Sequence, residues 1–190
     1  MRLRNKPQPH FPIIRRRKNF FHKSIDKPIF ICYNTREESK GDRAMKKEIW
    51  LDLDGSIADL YGVENWLEYL INENTYPYDN AKPMCNFSLL ARYLNRLQKQ
   101  GWKIGIISWT SKSGSDLYNG QVALSKMCWL HKHLKSVKWD TIKIVKYGTN
   151  KYNECGGGIL FDDEENNRNA WHDEAYSPDD IFSVLSSLLT

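Results

Sequence analysis

No stretch of the 190-residue chain approaches the roughly 18 uninterrupted apolar residues that a membrane-spanning helix requires. Cysteine is sparse, at positions 32, 85, 128 and 155, and none of the four forms a C-x-x-C pair. That spacing excludes a zinc ribbon and gives no sign of a disulfide framework. With unpaired thiols and no secretory signal pattern, the expected compartment is the reducing cytoplasm, with no membrane partner. From residue 45 onward there are no internal repeats and no low-complexity tract. What the chain does contain is globular in kind. Hydrophobic residues make up 41% and charged residues 27%, which rules out a wholly disordered polymer.

The net charge of +5 suggests a nucleic-acid binder until its distribution is read. Residues 1–44 hold 12 basic and 4 acidic side chains, whereas residues 45–190 hold 16 and 19. The first quarter is therefore strongly basic and the remainder mildly acidic, so the isoelectric point reports on an arm. Four prolines and the block Arg15-Arg16-Arg17-Lys18 make this arm a poor folding unit, with one strand-length apolar run at Ile29–Tyr33. A nucleic-acid-binding arm and an organellar targeting peptide are two readings of it. The favoured one is that translation begins at Met45, leaving residues 1–44 as an upstream extension. A peptide spanning residues 36–46 in the native protein would overturn that expectation.

Beyond Met45 the pattern alternates. Glu48–Leu53 is a short apolar run ending in acids. Val63, Trp66, Leu67, Leu70 and Ile71 recur at helical spacing, and residues 72–85 form a polar, proline-containing loop. Phe87 to Leu97 reads as a helix ended near Gly101, and Lys103–Ser108 as a strand. A Ser/Gly-rich loop precedes a helix carrying Ala123, Met127, Leu130 and Leu134 on one face. Strands follow at Thr141–Tyr147 and Gly158–Asp162. A last helix opens at the capping sequence Ser177-Pro178-Asp179-Asp180. Strands alternating with helices predict an α/β domain: a Rossmann-like, doubly wound parallel sheet of about five strands.

Ligands of such sheets bind beyond the carboxyl ends of the strands, where this sequence places acids. The first strand runs into Asp52-Leu53-Asp54-Gly55-Ser56, and the strand ending at Phe161 into Asp162-Asp163-Glu164. Asp52 and Asp54 are two apart, so both can project to one side as the chain leaves the strand. Carboxylates held together repel unless a proton or a cation lies between them. An oxygen-only donor set suits Mg²⁺, and Gly55 permits a sharp turn.

Asp52-Leu53-Asp54-Gly55-Ser56 resembles the D-x-D-G-[S/T] signature of the haloacid dehalogenase (HAD) superfamily. Ile106-Ile107-Ser108, Tyr147-Gly148-Thr149-Asn150-Lys151 and Ile159-Leu160-Phe161-Asp162-Asp163 resemble its later motifs, in the family's order. The likeness covers about residues 48–190. It implies a HAD-like fold and a Mg²⁺-dependent phosphatase. Asp52 would be the nucleophile and Asp54 the general acid and base, partly protonated near neutral pH. Ser108 and Lys151 would bind the phosphoryl group. Asp52, Asp54, Asp162 and Asp163 would form the metal site, with the direct ligand among the last two left open.

Each assignment has a plain rival. Asp162 and Asp163 also suit the positive end of a following helix without any metal. Thr110 competes with Ser108, and Lys146 with Lys151, although Lys146 falls inside the expected strand. The Gly156–Gly158 run precedes a strand and reads as a turn. His131 and His133 cannot share one helix face. Residues 59–85 leave room for a small lid at most. Tyr61, Trp66, Tyr69, Tyr76 and Tyr78 within it, together with Trp109, either stack on a base or pack the core. The expected partner is a phosphorylated small molecule or nucleotide, with a nucleic-acid end as the larger alternative. Other function classes are a catalytically idle phosphate-binding interaction protein and a nucleic-acid binder using the arm.

Overall fold

The computed structural model describes residues 46–189, so the basic arm and every reading of it lie outside the described residues. Five strands form one parallel sheet: β1 (Glu48–Leu51), β4 (Lys103–Trp109), β5 (Thr141–Val145), β6 (Ile159–Phe161) and β7 (Ala175–Tyr176). Their spatial order is β5-β4-β1-β6-β7. The chain moves outward from β1 through β4 to β5, then returns to the other side of β1 as β6. β1 is thus central, and the strand order reverses beside it, which is where open α/β sheets hold ligands.

β1 has to be apolar on both faces because helices cover both. Ile49 and Leu51 face the larger core, with Ile104, Ile106 and Phe161 and the buried faces of three helices. Those helices are α3 (Phe87–Lys99), α4 (Asp116–His133) and α7 (Ile181–Ser187). Trp50 faces the other way, with Ile107, Leu160 and Trp171. Gly105 opposite Trp50 is a packing requirement, since a Cβ there would lie 2.4 Å from the indole ring.

Between β1 and α3 the chain makes an insertion. It leaves and re-enters through an antiparallel pair, β2 (Ala58–Asp59) and β3 (Lys82–Pro83). Between these lie α1 (Trp66–Ile71) and α2 (Tyr76–Asn80). The stretch expected as a plain loop at 72–85 is therefore partly ordered. Pro77 sits in the first turn of α2, where its missing N–H costs nothing. Glu73 ties the insertion to the body: its carboxylate accepts from the Ser115 N–H at 2.6 Å and hydroxyl at 2.7 Å, at the N-terminus of α4.

Three further expectations need correction. α4 starts earlier than the apolar spacing indicated, because Ser115 caps it from within the Ser/Gly-rich segment. Its buried face runs through Tyr118, Val122, Lys126 and Trp129, while Met127 is exposed. Ser177 caps a 3₁₀ turn at Pro178–Asp180 that leads into α7. Among the described residues, no helix is long and apolar enough to cross a membrane.

Candidate active site

The parallel register sets the site. Leu51 pairs with Ile106 on one side and Phe161 on the other. The next residues, Asp52 and Asp162, therefore leave the sheet edge side by side, with the Asp52 N–H on the Phe161 carbonyl at 2.9 Å. Ser108 lies two residues past Ile106 and reaches the same level as the turn at Asp54. Gly55 then reverses the chain with φ 75°. A Cβ there would meet Asp163 Oδ2 at 2.4 Å, so both backbone and space require glycine.

Lys151 is the first residue of a short helix, α5 (Lys151–Cys155), capped by the Asn150 side chain. It is buried, and its Nζ lies 2.6 Å from Asp162 Oδ2 and 3.2 Å from Asp52 Oδ1. Its ammonium also lies 4.9 Å from the centre of the Trp109 ring. Burial pushes the Lys151 pKa down, but Asp52 and Asp162 outweigh it and hold the group above the ordinary lysine value. Lys146, the rival, is exposed and falls just beyond the end of β5 rather than within it.

Asp162 is wholly buried, and both oxygens are engaged. Oδ2 accepts from Lys151, and Oδ1 from the Glu164 N–H at 2.9 Å and the Asn167 amide at 3.1 Å. Arg168 clamps the carbonyls of residues 162 and 163 at 2.8 and 2.7 Å. Asp163 accepts from the Ser56 hydroxyl through Oδ1 at 3.2 Å and donates its N–H back to that hydroxyl at 3.0 Å. Burial first, then Asp52 and Asp162, raise the Asp163 pKa to about 6. Burial and the neighbouring Asp52 likewise raise Asp162.

Carboxylate oxygens of Asp52, Asp162 and Asp163 all lie within 4.8 Å of one another. With Lys151 counted, the three acids carry a surplus of two negative charges. Asp52 Oδ1 is buried and meets the Lys151 ammonium at 3.2 Å as an ion pair, without hydrogen-bond geometry. An anionic oxygen held by an ion pair but by no hydrogen bond, beside two more carboxylates, is a donor set that fits a hard divalent cation. The Asp54 carboxylate stands outside this group.

Asp54 Oδ2 instead accepts from Lys126 Nζ at 2.6 Å. The same ammonium reaches Ser108 Oγ at 2.9 Å. Burial raises the Asp54 pKa, Lys126 opposes it, and the nearby Asp52 adds to the rise. Lys126 is the residue that sequence reasoning passed over, because a lysine inside a helix reads as solvated. The available signal was its spacing: four residues after Val122 and three before Trp129, on the apolar side of α4. Ser56, Asn167 and Arg168 were also passed over, since their roles depend on contacts between distant loops.

Asp52, Asp54, Ser108, Lys151 and Asp163 form the floor of a cavity of about 360 Å³. Its walls are apolar and aromatic: Trp109 and Tyr147 pack together at 4.8 Å between ring centres, and Tyr61 meets Trp66 edge-on at 5.0 Å. Trp109 is pinned by its indole N–H on the Thr149 carbonyl at 2.9 Å. Thr110 lines the cavity as well. Tyr78 is buried against it, whereas Tyr69 and Tyr76 stack on each other at 4.8 Å and are not among its walls. His131 is exposed, and its ring bonds its own helix at the Met127 carbonyl.

No family model matches the sequence, and no curated protein matches it. Among solved structures, similarity is found to a D,D-heptose 1,7-bisphosphate phosphatase from Burkholderia thailandensis. Identity is 15%, the TM-score 0.48, and coverage 76% of this chain and 99% of that one. A chain of the Pnkp1/Rnl/Hen1 RNA repair complex is 17% identical with a TM-score of 0.45, over 79% of this chain and 48% of its own length. This chain thus spans about half of that one. At such identities and TM-scores, neither substrate nor mechanism carries over from these proteins.

Proposed function

We propose that the protein is a Mg²⁺-dependent phosphomonoesterase working through an aspartyl-phosphate on Asp52, with a nucleotide or a nucleic-acid end as substrate. One observation carries this reading. Asp52 presents a buried oxygen without a hydrogen bond at the floor of an apolar cavity, flanked by a lysine, a buried serine and two further acids. Free carboxylates are weak nucleophiles toward an anion, and this one is surrounded by what the reaction needs.

In the first step an Asp52 oxygen bonds to phosphorus as the ester P–O bond breaks. Asp54 gives its proton to the departing alkoxide, and the burial that raises its pKa favours the protonated form. In the second step Asp54 takes a proton from water, whose oxygen displaces Asp52 and releases inorganic phosphate. Lys151 and the Ser108 hydroxyl hold the non-bridging oxygens. A divalent cation held by Asp52, Asp162 and Asp163 would supply neutralisation of phosphate charge. The aromatic pairs around the cavity suit a planar base, which stacks at little desolvation cost.

The test is chemical trapping. Enzyme quenched in acid during turnover of a labelled phosphomonoester should carry acid-stable, base-labile phosphate on the peptide containing Asp52. Turnover without such a peptide would sink the covalent mechanism. Binding of inorganic phosphate without turnover of any ester would favour the idle phosphate-binding protein.

A further inference from the structure

Lys126 sits in the middle of α4 with its side chain only 2% exposed. A buried ammonium is costly unless each of its protons finds an acceptor. This one has three protons and three acceptors: Asp54 Oδ2 at 2.6 Å, Ser108 Oγ at 2.9 Å and the Trp109 carbonyl at 2.5 Å. The ring of Tyr78 from α2 packs 5.2 Å from the nitrogen. Lys126 is not among the residues that line the substrate cavity, so it does not touch the reacting atoms.

The contacts fix two groups that do face the cavity. With Oδ2 engaged, Asp54 cannot swing without breaking a short charged bond, and Oδ1 is left as the oxygen free to serve the leaving group. Ser108 accepts from Lys126, so its single hydrogen is free to point elsewhere, as a donor. We infer that Lys126 is a positioning residue for leaving-group departure: by locking Asp54 it equips the site for esters whose leaving group is an unstabilised alkoxide. This inference rests on Asp52 as the phosphoryl acceptor. The bond changes are those of the first step. The Asp52–phosphorus bond forms, the ester bond breaks, and the Asp54 proton passes to the alkoxide, while Lys126 keeps its own protons.

The experiment compares two leaving groups. 2-Phenylethyl phosphate departs as an alkoxide that must be protonated, whereas p-nitrophenyl phosphate departs as a stabilised phenolate that need not be. In both cases kcat/KM reports the first phosphoryl transfer. Lys126→Met should lose about 100-fold or more on the alkyl ester, the usual worth of a positioned acid, and less than about 5-fold on the aryl ester. The ratio of the two losses does not depend on how much of the variant is folded. Lys126→Gln, which keeps a donor, should fall between wild type and Lys126→Met. In an Asp54→Asn background, Lys126→Met should cost the alkyl ester less than about 3-fold more. Equal losses on both esters, or a full further loss in the Asp54→Asn background, overturn the inference while leaving the phosphatase reading intact. A wild-type protein that turns over neither ester overturns both.

Discussion

In the proposed mechanism Asp52 and Lys151 would divide the chemistry between a nucleophile and a buried cation. Asp52→Asn is nearly isosteric and keeps the fold, but an amide cannot form the acyl-phosphate. Its kcat should fall at least about 1000-fold, or about 4 kcal/mol of transition-state stabilisation; residual turnover above that level would remove Asp52 from the role. Lys151→Ala should be at least about tenfold worse in kcat/KM than Lys146→Ala, about 1.4 kcal/mol, since Lys146 is exposed and reaches none of the acids. The placement of Lys151 at the carboxyl edge of the sheet was readable from the sequence, because it follows a glycine turn beyond a strand end. Its burial was not, since that depends on the pairing of Asp52 with Asp162 across two strands far apart in the chain. The same holds for Lys126, whose role becomes visible only once Ser108 and Asp54 are brought against α4.

The elements that could be read were those that are apolar throughout or whose apolar spacing repeats. β1, β4 and β6 are apolar on both faces, and α3 carries Leu90, Leu94 and Leu97 at helical spacing, so composition alone announces them. The two-residue strands β2, β3 and β7 and the five-residue helices α2, α5 and α6 (Glu165–Asn169) are too short to show a period. They exist because caps and neighbouring backbone hold them. The phase of α4 was misread because a buried lysine and a buried serine interrupt its apolar side. The turn between β1 and β2 offers a test at this scale. Gly55→Ala forces a side chain into φ 75°, at about 1–2 kcal/mol, and drives a Cβ against Asp163. Expected is a lower melting temperature together with a weakened response to Mg²⁺, measured by thermal unfolding. A variant as stable and as metal-responsive as wild type would show that the turn is more pliable than its geometry implies.

For the folded chain as a whole, the acid cluster makes stability depend on pH. Asp163 has an ordinary value of 3.8 unfolded and about 6 folded. Its contribution is therefore fully present below pH 3.8 and is lost as pH rises through about 6, because the folded state holds the proton more tightly. In EDTA, this group should lower the melting temperature across that window. Asp163→Asn should flatten the trend, and an unchanged slope would point to other groups. Under the proposed function Mg²⁺ would bind the ionised acids and should reverse the trend at neutral pH, by about 2.7 kcal/mol at a hundred times its dissociation constant. The gain should vanish in Asp162→Asn/Asp163→Asn, as read by the shift in melting temperature. A double variant that still responds like wild type would place the metal elsewhere.

The insertion that walls the cavity leaves and rejoins the body at adjacent strands, Ala58 opposite Pro83 and Asp59 opposite Lys82. A segment hung on so narrow a neck can be lengthened, shortened or exchanged without shifting any strand that carries an acid. Under the proposed function, reaction and recognition would then be separately heritable. On that reading, a graft at the neck that keeps Tyr78 against Lys126 should change which alcohol is released while leaving the phosphoryl chemistry in place.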